Sequence, residues 1–177
     1  MMIARTLSAS SQERFRRLFE SHYRAVLAYA RRRCATVEDA QDVAAETFAV
    51  AWRRMDDVVD ADEALPWLYA IAGHVVANQR RTGRRFAAAR ARLWRQPRSA
   101  ETASTGEWRS VLDALHRLHT ADQEILRLAA WEGLTYRDIA SVLHCSENAV
   151  GLRLHRARKR LAIELDKTIT ASPEKAR

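Results

Sequence analysis

Helix-start signals recur along this chain and constrain its fold more than any other feature. At four places a hydroxyl-bearing residue is followed three positions later by an acid or an amide, which is the spacing of a capping box. The 177 residues include only 5 glycines and 3 prolines, too few for a turn-rich β-sandwich or barrel. The sequence therefore predicts an all-α protein. The four pairs are Ser10 with Glu13, Thr36 with Asp39, Thr120 with Gln123, and Thr135 with Asp138.

Composition divides the chain into two small helical domains joined by a flexible linker. Glycine, proline and a Ser/Thr/Ala-rich run interrupt the helical pattern between the two halves of the chain. Inside this linker, Phe86–Arg95 has the apolar spacing of a short basic helix. We expect domains at residues 10–83 and 108–167, a linker at residues 84–107, and a frayed tail at residues 168–177.

Charge and cysteine usage narrow the classes of function. The chain carries 30 basic and 22 acidic side chains, and the formal net charge of +8 suits a polyanionic partner. Cys34 and Cys145 are far apart, so we expect no metal, no cofactor, no disulfide framework and a reduced, cytoplasmic setting. The longest charge-free stretch, Ala64–Gln79, is shorter than the roughly 20 apolar residues of a membrane span, which predicts no membrane insertion. Met1–Ser10 does not look like a signal peptide.

The C-terminal part of the sequence has the pattern of a helix-turn-helix. Two apolar-periodic helices are separated by a short turn, and the second enters the major groove of DNA in proteins of this kind. Val150, Leu154 and Ala157, with Leu161, are expected to form its buried stripe. The segments are Ala121–Glu132 ended by Gly133, Tyr136–Leu143 capped by Thr135, the turn His144–Cys145, and a last helix capped by Ser146.

The last helix carries candidate DNA-binding residues. Ser146, Glu147 and Asn148 would stand at its tip, where side chains reach base edges. No acidic residue occurs between Asn148 and Ile163, so the basic run beyond the tip can neutralise phosphates. The alternative is a basic helix face that is merely solvated. The basic residues are Arg153, Arg156, Arg158, Lys159 and Arg160.

An acidic stripe marks the predicted helix Thr36–Met55. Asp39, Asp42 and Glu46 recur at spacings of three and four, so they share one face of that helix. Such a stripe suits a basic protein surface better than nucleic acid, although ordinary solvation is the alternative. The opposite face is expected to be buried, and its members are Ala40, Ala44, Phe48, Ala51, Trp52 and Met55.

A third helix, predicted over Leu65–Arg85, combines a polar face with aromatic residues and a basic end. His74, Asn78 and Arg81 share the polar face, and Trp67 and Tyr69 are placed to wall an unstacked base. The alternatives are a buried helix with a basic last turn and, for His74, a core histidine. The basic residues at its end are Arg80, Arg81, Arg84 and Arg85.

Three stretches, in this order, make the sequence similar to a known family. It resembles bacterial RNA polymerase sigma factors of the extracytoplasmic-function (ECF) group within the sigma-70 family, over roughly residues 10–165. The stretches are Asp39–Trp52, Leu65–Tyr69 running on to Asn78–Arg81, and Ser146–Val150 running on to Arg153–Arg158.

The resemblance implies a role for each segment. The N-terminal domain resembles sigma region 2, which binds core polymerase and melts the downstream (−10) promoter element. The C-terminal domain resembles region 4, which reads the upstream (−35) element. The implied polymerase contacts are the clamp helices and the flap, and an anti-sigma factor is a further implied partner. The implied residues are Asp39, Asp42, Glu46 and Arg53 for core polymerase, Trp67, His74, Asn78, Arg81, Arg84 and Arg85 for the downstream element, and Ser146, Glu147, Asn148, Arg153, Arg156 and Arg158 for the upstream element.

Two other functions compete with a sigma factor. A free-standing helix-turn-helix regulator needs only residues 108–165, and it leaves the acidic stripe and the third helix unexplained. An enzyme is disfavoured because the sequence has no phosphate-binding loop, no HExxH motif and no cluster of metal ligands. We therefore expect a transcription initiation factor that has no catalytic activity.

Overall fold

The computed structural model describes residues 2–55, 64–90 and 106–170, and it describes side chains for residues 11–55, 64–82 and 108–167. Seven helices fill most of these ranges, and no strand occurs within them. The predicted all-α fold is therefore confirmed. The helices are α1 (Met2–Arg31), α2 (Val37–Arg53), α3 (Ala64–Arg90), α4 (Gly106–Arg117), α5 (Thr120–Ala130), α6 (Tyr136–Leu143) and α7 (Glu147–Thr170).

The chain divides between residues 99 and 100 into two compact units. The N-terminal unit contains α1, α2 and α3, each of which packs against the other two. The C-terminal unit contains α4 to α7, with α4, α5 and α6 all packed against α7. Each unit therefore has its own core.

The core of the N-terminal unit is built on small residues of α2 and on a tyrosine pair. Ala40, Ala44 and Ala51 are fully buried, as the sequence predicts, and they let neighbouring helices approach closely. The Tyr29 ring of α1 stacks on the Tyr69 ring of α3, with 4.9 Å between centroids and 18° between planes.

Gly73 provides the space that this tyrosine pair needs. A Cβ atom at Gly73 would lie 3.1 Å from the Tyr29 hydroxyl oxygen, which is tighter than ordinary van der Waals contact. The Arg33 guanidinium carbon lies 3.4 Å from the centroid of the Tyr29 ring, and Arg33 Nη1 donates to the Tyr29 carbonyl oxygen. Arg33 thereby fixes Tyr29 at the end of α1, and the stack of Tyr29 on Tyr69 holds this end against α3.

The core of the C-terminal unit is organised around α7. Val150, Leu154 and Ala157 have no exposed surface, which confirms the predicted buried stripe, and Leu161 is half-buried. Burial of each aliphatic side chain contributes about 1.5–3 kcal/mol relative to leaving it in water. Residues from the other helices that complete this core are Leu115, Ile125, Leu128 and Ile139.

A partly buried ion pair adds to the contact between α5 and α7. Arg160 Nη1 lies 2.9 Å and 2.7 Å from the two carboxylate oxygens of Asp122. The Asp122 side chain is only 11% exposed, whereas that of Arg160 is 53% exposed. Arg160 therefore differs from the other cations of the predicted phosphate-binding run, because its guanidinium group already pairs with a carboxylate of its own unit.

Three of the helix-start predictions are correct. The Asp39 backbone N–H donates to Thr36 Oγ1 at 3.0 Å, and Ser146 Oγ accepts from the Ala149 N–H at 3.3 Å. Thr135 and Asp138 form a complete, reciprocal capping box. These caps fix the first residues of α2, α6 and α7.

Two helix-start predictions are wrong. Ser10 is not a cap, because α1 begins at Met2 and runs through it. Thr120 is the first residue of α5, whose N-cap residue is His119 without a side-chain cap. The Gln123 amide instead donates backward to the carbonyl oxygens of His116 and Leu118, where it satisfies acceptors left by the end of α4.

The third helix is longer than predicted. It begins at Ala64 and continues to Arg90, so the expected domain end at residue 83 and the start of the linker at residue 84 lie inside α3. Gly83 does not end it, because the arginines and alanines around it are strong helix formers. Phe86–Arg90 belongs to α3, and residues 91–105 lie outside the described residues. At the other end of the chain, α7 reaches Thr170.

Candidate protein- and nucleic-acid-binding surfaces

The acidic stripe forms the outward face of α2. Asp39, Asp42 and Glu46 are all exposed, on the side of the helix that faces away from its buried alanines. Arg53 Nη2 lies 3.2 Å from Glu46 Oε1, and both side chains are more than half exposed. An exposed pair of this kind contributes little to stability and can exchange for a partner's charges. The outward face of α2, called here the acidic face, therefore offers three carboxylates bordered by Arg53.

Aromatic side chains lie beside the acidic face, where α1 meets α2. Trp52 is 42% exposed, so its predicted place on the buried side of α2 is wrong. Its ring packs edge-on against Phe15, with centroids 5.1 Å apart, while Phe19 packs against Phe48 at 4.9 Å. Trp52 is thus at the edge of the core because Phe15 covers one side of its ring.

The polar face of α3 exists as the sequence predicts. His74, Asn78 and Arg81 are all exposed, and Arg81 Nη2 donates to Asn78 Oδ1. The alternative that His74 is a core histidine is wrong, because its side chain is exposed while its neighbour Val76 on the same helix is buried. This face offers an imidazole, an amide and a guanidinium group in consecutive turns.

The aromatic and basic residues near this face differ in their surroundings, because some are partly exposed and others are taken up by contacts within the unit. Trp67 is half-buried, whereas Tyr69 is only 3% exposed and stacks in the core, so Tyr69 is not placed to wall an unstacked base. Arg80 donates to the Arg33 carbonyl oxygen at 2.8 Å and so joins α3 to the end of α1. Arg84 and Arg85 lie in α3, but their side chains fall outside the described ones.

The helix-turn-helix of the C-terminal unit is formed by α6, a short turn and α7. Its capping box has the Asp138 N–H 3.2 Å from Thr135 Oγ1 and the Thr135 N–H 3.2 Å from Asp138 Oδ2. His144 ends α6 in the left-handed region, with φ of 49°, and the Cys145 N–H donates to the Ala140 carbonyl oxygen at 3.0 Å. These bonds close the turn and set the start of α7.

The residues expected at DNA are exposed on α7. Ser146, Glu147 and Asn148 are exposed at its start, although the Ser146 hydroxyl also serves as the cap. Farther along, the exposed cations flank the outward side of the helix, which we call the basic face. Its members are Arg153, Arg156, Arg158 and Lys159.

Sequence reasoning missed two features of α7. The partner of Arg160 is Asp122, 38 residues away, and no local pattern could have paired them. Leu152 is 52% exposed in the middle of the basic face. A helical projection could have found it, because it lies two residues from each of two stripe members, Val150 and Leu154.

The described residues provide no metal centre. Among them, no three His, Cys, Asp or Glu side chains are grouped closely enough to hold a metal ion. Cys34 and Cys145 are both free thiols and both half-buried. Burial, which disfavours the thiolate, raises the pKa of Cys34 above its ordinary value. In the part of the chain that the structure describes, no helix combines the length and apolar character that crossing a membrane requires.

Comparison with known families matches both units of the chain. Residues 18–86 match the family model described as Sigma-70 region 2, and residues 108–161 match the one described as Sigma-70, region 4. The first match covers most of α3 together with the acidic face, and the second covers the helix-turn-helix. A free-standing helix-turn-helix regulator would account only for the second match, so it describes this chain less well than a protein with both regions.

Individual sigma factors can be aligned with this chain along most of their length. The RNA polymerase sigma factor NccH of Alcaligenes xylosoxydans xylosoxydans is 31% identical over 173 residues, which is 90% of this chain and 90% of NccH. The ECF RNA polymerase sigma factor SigL of Mycobacterium tuberculosis is 26% identical over 178 residues, covering 92% of this chain and 96% of SigL.

Solved structures show the same fold. The sigma factor RpoE of Bartonella quintana, solved in complex with the anti-sigma factor NepR, is similar with a TM-score of 0.70 and 22% identity, over 87% of this chain and 98% of RpoE. CnrH, solved in complex with the cytosolic domain of CnrY, is similar with a TM-score of 0.64 and 29% identity, over 92% of this chain and 97% of CnrH.

These similarities decide between the functions left open by the sequence. Sigma factors are transcription initiation factors without an enzymatic activity of their own, so the assignment confirms the expectation of no catalysis. Both family matches fall in the expected order along the chain. The chain belongs to the sigma-70 family, and within it to the ECF sigma factors of bacterial RNA polymerase.

Proposed function

We propose that this sigma factor binds core polymerase and promoter DNA through separate helix faces, of which those on α2 and α7 have opposite charge. The acidic face of α2 binds core polymerase, α3 contacts the downstream promoter element, and the basic face of α7 binds the upstream element. The domains expected at residues 10–83 and 108–167 carry these tasks, joined by the segment at residues 84–107, of which Arg84 and Arg85 continue α3 and act with the first domain. The protein acts in the cytoplasm, where core polymerase and promoter DNA are found.

The proposal for α2 rests on charge and accessibility. Three exposed carboxylates follow one another at helical spacing on a chain whose net charge is +8. Such a face is repelled by DNA phosphates and attracted by a basic protein surface. Arg53 borders the acidic face, and exchange of its exposed pair with Glu46 would free its guanidinium group for an acidic group on the polymerase. The clamp helices of the polymerase are the proposed partner.

The proposal for α3 rests on its polar face. His74 and Asn78 lie one turn apart, so both can reach the same one or two nucleotides. Arg81, which bonds Asn78, orients the amide and adds a positive charge for the phosphate strand. Trp67 is half-buried, and its exposed edge is available to a base. Arg84 and Arg85 continue the basic end of the same helix.

The proposal for α7 rests on the order of its exposed residues. The tip residues Ser146, Glu147 and Asn148 precede the cations, which is the arrangement of a recognition helix whose start reads bases and whose later turns hold phosphates. Arg153, Arg156 and Arg158 are the phosphate contacts. The flap of the polymerase is the proposed protein partner of this unit.

An anti-sigma protein is the proposed regulator. RpoE and CnrH are both solved with a protein partner, and NepR is named as an anti-sigma factor. A partner that covers the acidic face would compete with core polymerase. In cells that do not transcribe its promoters, the tagged chain should be recovered with one stoichiometric partner that excess core polymerase displaces. Recovery of the chain alone or only with polymerase would contradict this regulator.

The opposite charge of the outward faces of α2 and α7 is the observation that carries the proposal. It is tested by reversing Asp42 and Glu46 to Lys and measuring the affinity for core polymerase. We expect at least about a tenfold loss, because like charges at an interface cost several kcal/mol.

The control is Glu20→Lys, a single reversal at an exposed acid of α1 that pairs at the surface with Arg16, and it is compared with Glu46→Lys alone. Glu20→Lys should keep the affinity of the unchanged chain, and all variants should keep their helical circular dichroism. An unchanged core affinity in the Asp42/Glu46 variant, with native dichroism, would contradict the proposal.

A further inference from the structure

Leu152 is an apolar side chain in an unexpected place. It is 52% exposed on α7, although α7 has a well-formed buried stripe in which Val150 and Leu154 have no exposed surface. An exposed leucine contributes nothing to that core, and water contact with its side chain is unfavourable. A partner that covers Leu152 would therefore gain from its apolar surface.

Helical geometry places Leu152 at the centre of the outward side of α7. Residues of an α-helix are about 100° apart, so a residue two positions away is rotated by about 200°. Leu152 is two positions from both Val150 and Leu154, which places it opposite the buried stripe. Asn148 and Arg156, four positions before and after it, are exposed and share its side of the helix.

The position along the helix is that of a base-reading residue. Leu152 is the sixth residue of α7, so its Cα lies about 7.5 Å along the axis from that of Glu147. Recognition helices contact base edges with residues of their first turns. Asn148 precedes it by about 6 Å and Arg156 follows by about 6 Å along the axis. Leu152 therefore separates two polar groups that line the same side.

The major groove offers one apolar group to such a side chain. Of the four bases, only thymine presents a methyl group there, at C5. We propose that Leu152 packs against the C5 methyl of one thymine in the upstream promoter element and so selects that base. This inference rests on the proposed binding of α7 to the upstream element. It adds an apolar contact to the polar base contacts of the helix tip.

The experiment removes only the methyl group. The upstream element is first selected from a randomised library with the holoenzyme, and each thymine in it is then replaced by deoxyuridine, one at a time. With the unchanged chain, one replacement should weaken holoenzyme binding about fourfold, the factor expected for one buried methyl group. With Leu152→Ala, the same replacement should have no effect.

Two further variants keep the result interpretable. Leu152→Met replaces the branched side chain with an unbranched apolar one of similar size and should keep part of the discrimination against deoxyuridine. Ile163→Ala removes another exposed aliphatic side chain of α7, eleven residues beyond Leu152, and should keep all of it. Because Leu152 is exposed and Ala is a strong helix former, Leu152→Ala should not unfold α7.

Four results would overturn the inference. The first is a selected element in which no thymine is required. The second is equal sensitivity to deoxyuridine in the unchanged chain and in Leu152→Ala, with promoter binding intact, which would leave the proposed function standing. The third is a loss in Leu152→Ala that is the same on every duplex and is accompanied by weaker core binding, which would assign Leu152 to a protein contact. A holoenzyme that binds no promoter would overturn the proposed function together with this inference.

Discussion

The helices α2 and α7 are built alike on the inside and differ on the outside. Both bury a stripe of small and aliphatic residues, which includes Ala40 and Ala44 on α2 and Leu154 and Ala157 on α7. Their outward sides carry opposite charges, with carboxylates on α2 and guanidinium groups on α7. The buried stripes account for the packing of each unit, so the outward sides are free to select the partner.

The two units also differ in how polar groups support the core. In the N-terminal unit, Arg33 lies over Tyr29, and Arg80 donates to the Arg33 carbonyl oxygen. Arginines thus connect helix ends to the stacked tyrosines of the core. In the C-terminal unit, Asp122 and Arg160 form an ion pair between two helices. An arginine near a binding face is therefore not automatically a DNA contact, and each must be assigned from its own neighbours.

The largest expected effect concerns the basic face of α7. Replacing Arg153, Arg156 and Arg158 by Ala should reduce the slope of log K against log salt for an upstream-element duplex by about 2.7, which is about 0.9 for each lost phosphate contact. Between about 50 and 200 mM salt this amounts to about a fortyfold smaller change in affinity. The measurement is a salt titration of duplex binding by the full-length chain.

Replacement of Arg16, Arg17 and Arg24 by Ala is the matched control, because it removes the same charge from the surface of α1. This control should keep the slope of the unchanged chain. If the two triple variants have the same slope, the basic face of α7 is only a solvated surface, and the contrast between α2 and α7 has no functional meaning.

The next effect concerns the ion pair of the C-terminal unit. Asp122→Asn should lower the free energy of unfolding of this unit by about 1–2 kcal/mol, because two hydrogen bonds to a charged and largely buried carboxylate are reduced to one bond to a neutral amide oxygen. The comparison is Glu20→Gln, which breaks an exposed pair with Arg16 and should change stability by less than about 0.5 kcal/mol. Denaturant unfolding of the full-length chain measures both. Equal losses of unfolding free energy would show that the Asp122–Arg160 pair contributes no more to stability than an exposed ion pair.

A smaller and more selective effect is expected at His74. His74→Asn should change which downstream bases are tolerated, by about 1–3 kcal/mol at one position, because a different hydrogen-bonding group is presented to the base. The melting temperature should stay constant, since His74 is exposed. Transcription by both proteins from a library of randomised downstream elements measures the change. Identical base preferences would remove His74 from base selection.

The smallest effect is expected at the two cysteines. Replacing Cys34 and Cys145 by Ser should leave promoter activity within a few-fold, and the purified protein should contain no zinc. Because burial raises the pKa of Cys34, iodoacetamide should modify it more slowly at about pH 8 than it modifies a small exposed thiol. Stoichiometric zinc, or rapid modification of Cys34, would contradict a purely structural role.

The sequence predicts the elements of this fold well where the signal is local. Thr36, Thr135 and Ser146 cap the helices that follow them, because a cap needs only a side chain and a backbone N–H within one turn. The buried stripe of α7 is equally local, since helical spacing alone defines it. The exposure of the acidic face follows from the same spacing.

The predictions fail where residues outside the local motif compete for the same side chain. Gln123 matches a capping pattern with Thr120, but the carbonyl oxygens at the end of α4 take its hydrogen bonds. In the sequence Tyr69 is available to a base and Arg160 to a phosphate, whereas in the fold Tyr29 stacks on Tyr69 and Asp122 binds Arg160. The outcomes at Tyr69 and Arg160 depend on tertiary contacts, for which one sequence contains no local pattern.

The central claim is that α2 and α7 bind different partners, and one crossed measurement tests it most directly. The Asp42/Glu46→Lys variant and the Arg153/Arg156/Arg158→Ala variant are each measured for core affinity and then, at saturating core polymerase, for promoter binding by the holoenzyme. We predict that the first variant loses core affinity and keeps promoter binding once assembled, while the second keeps core affinity and loses promoter binding. Equal losses of both affinities in both variants would contradict the account.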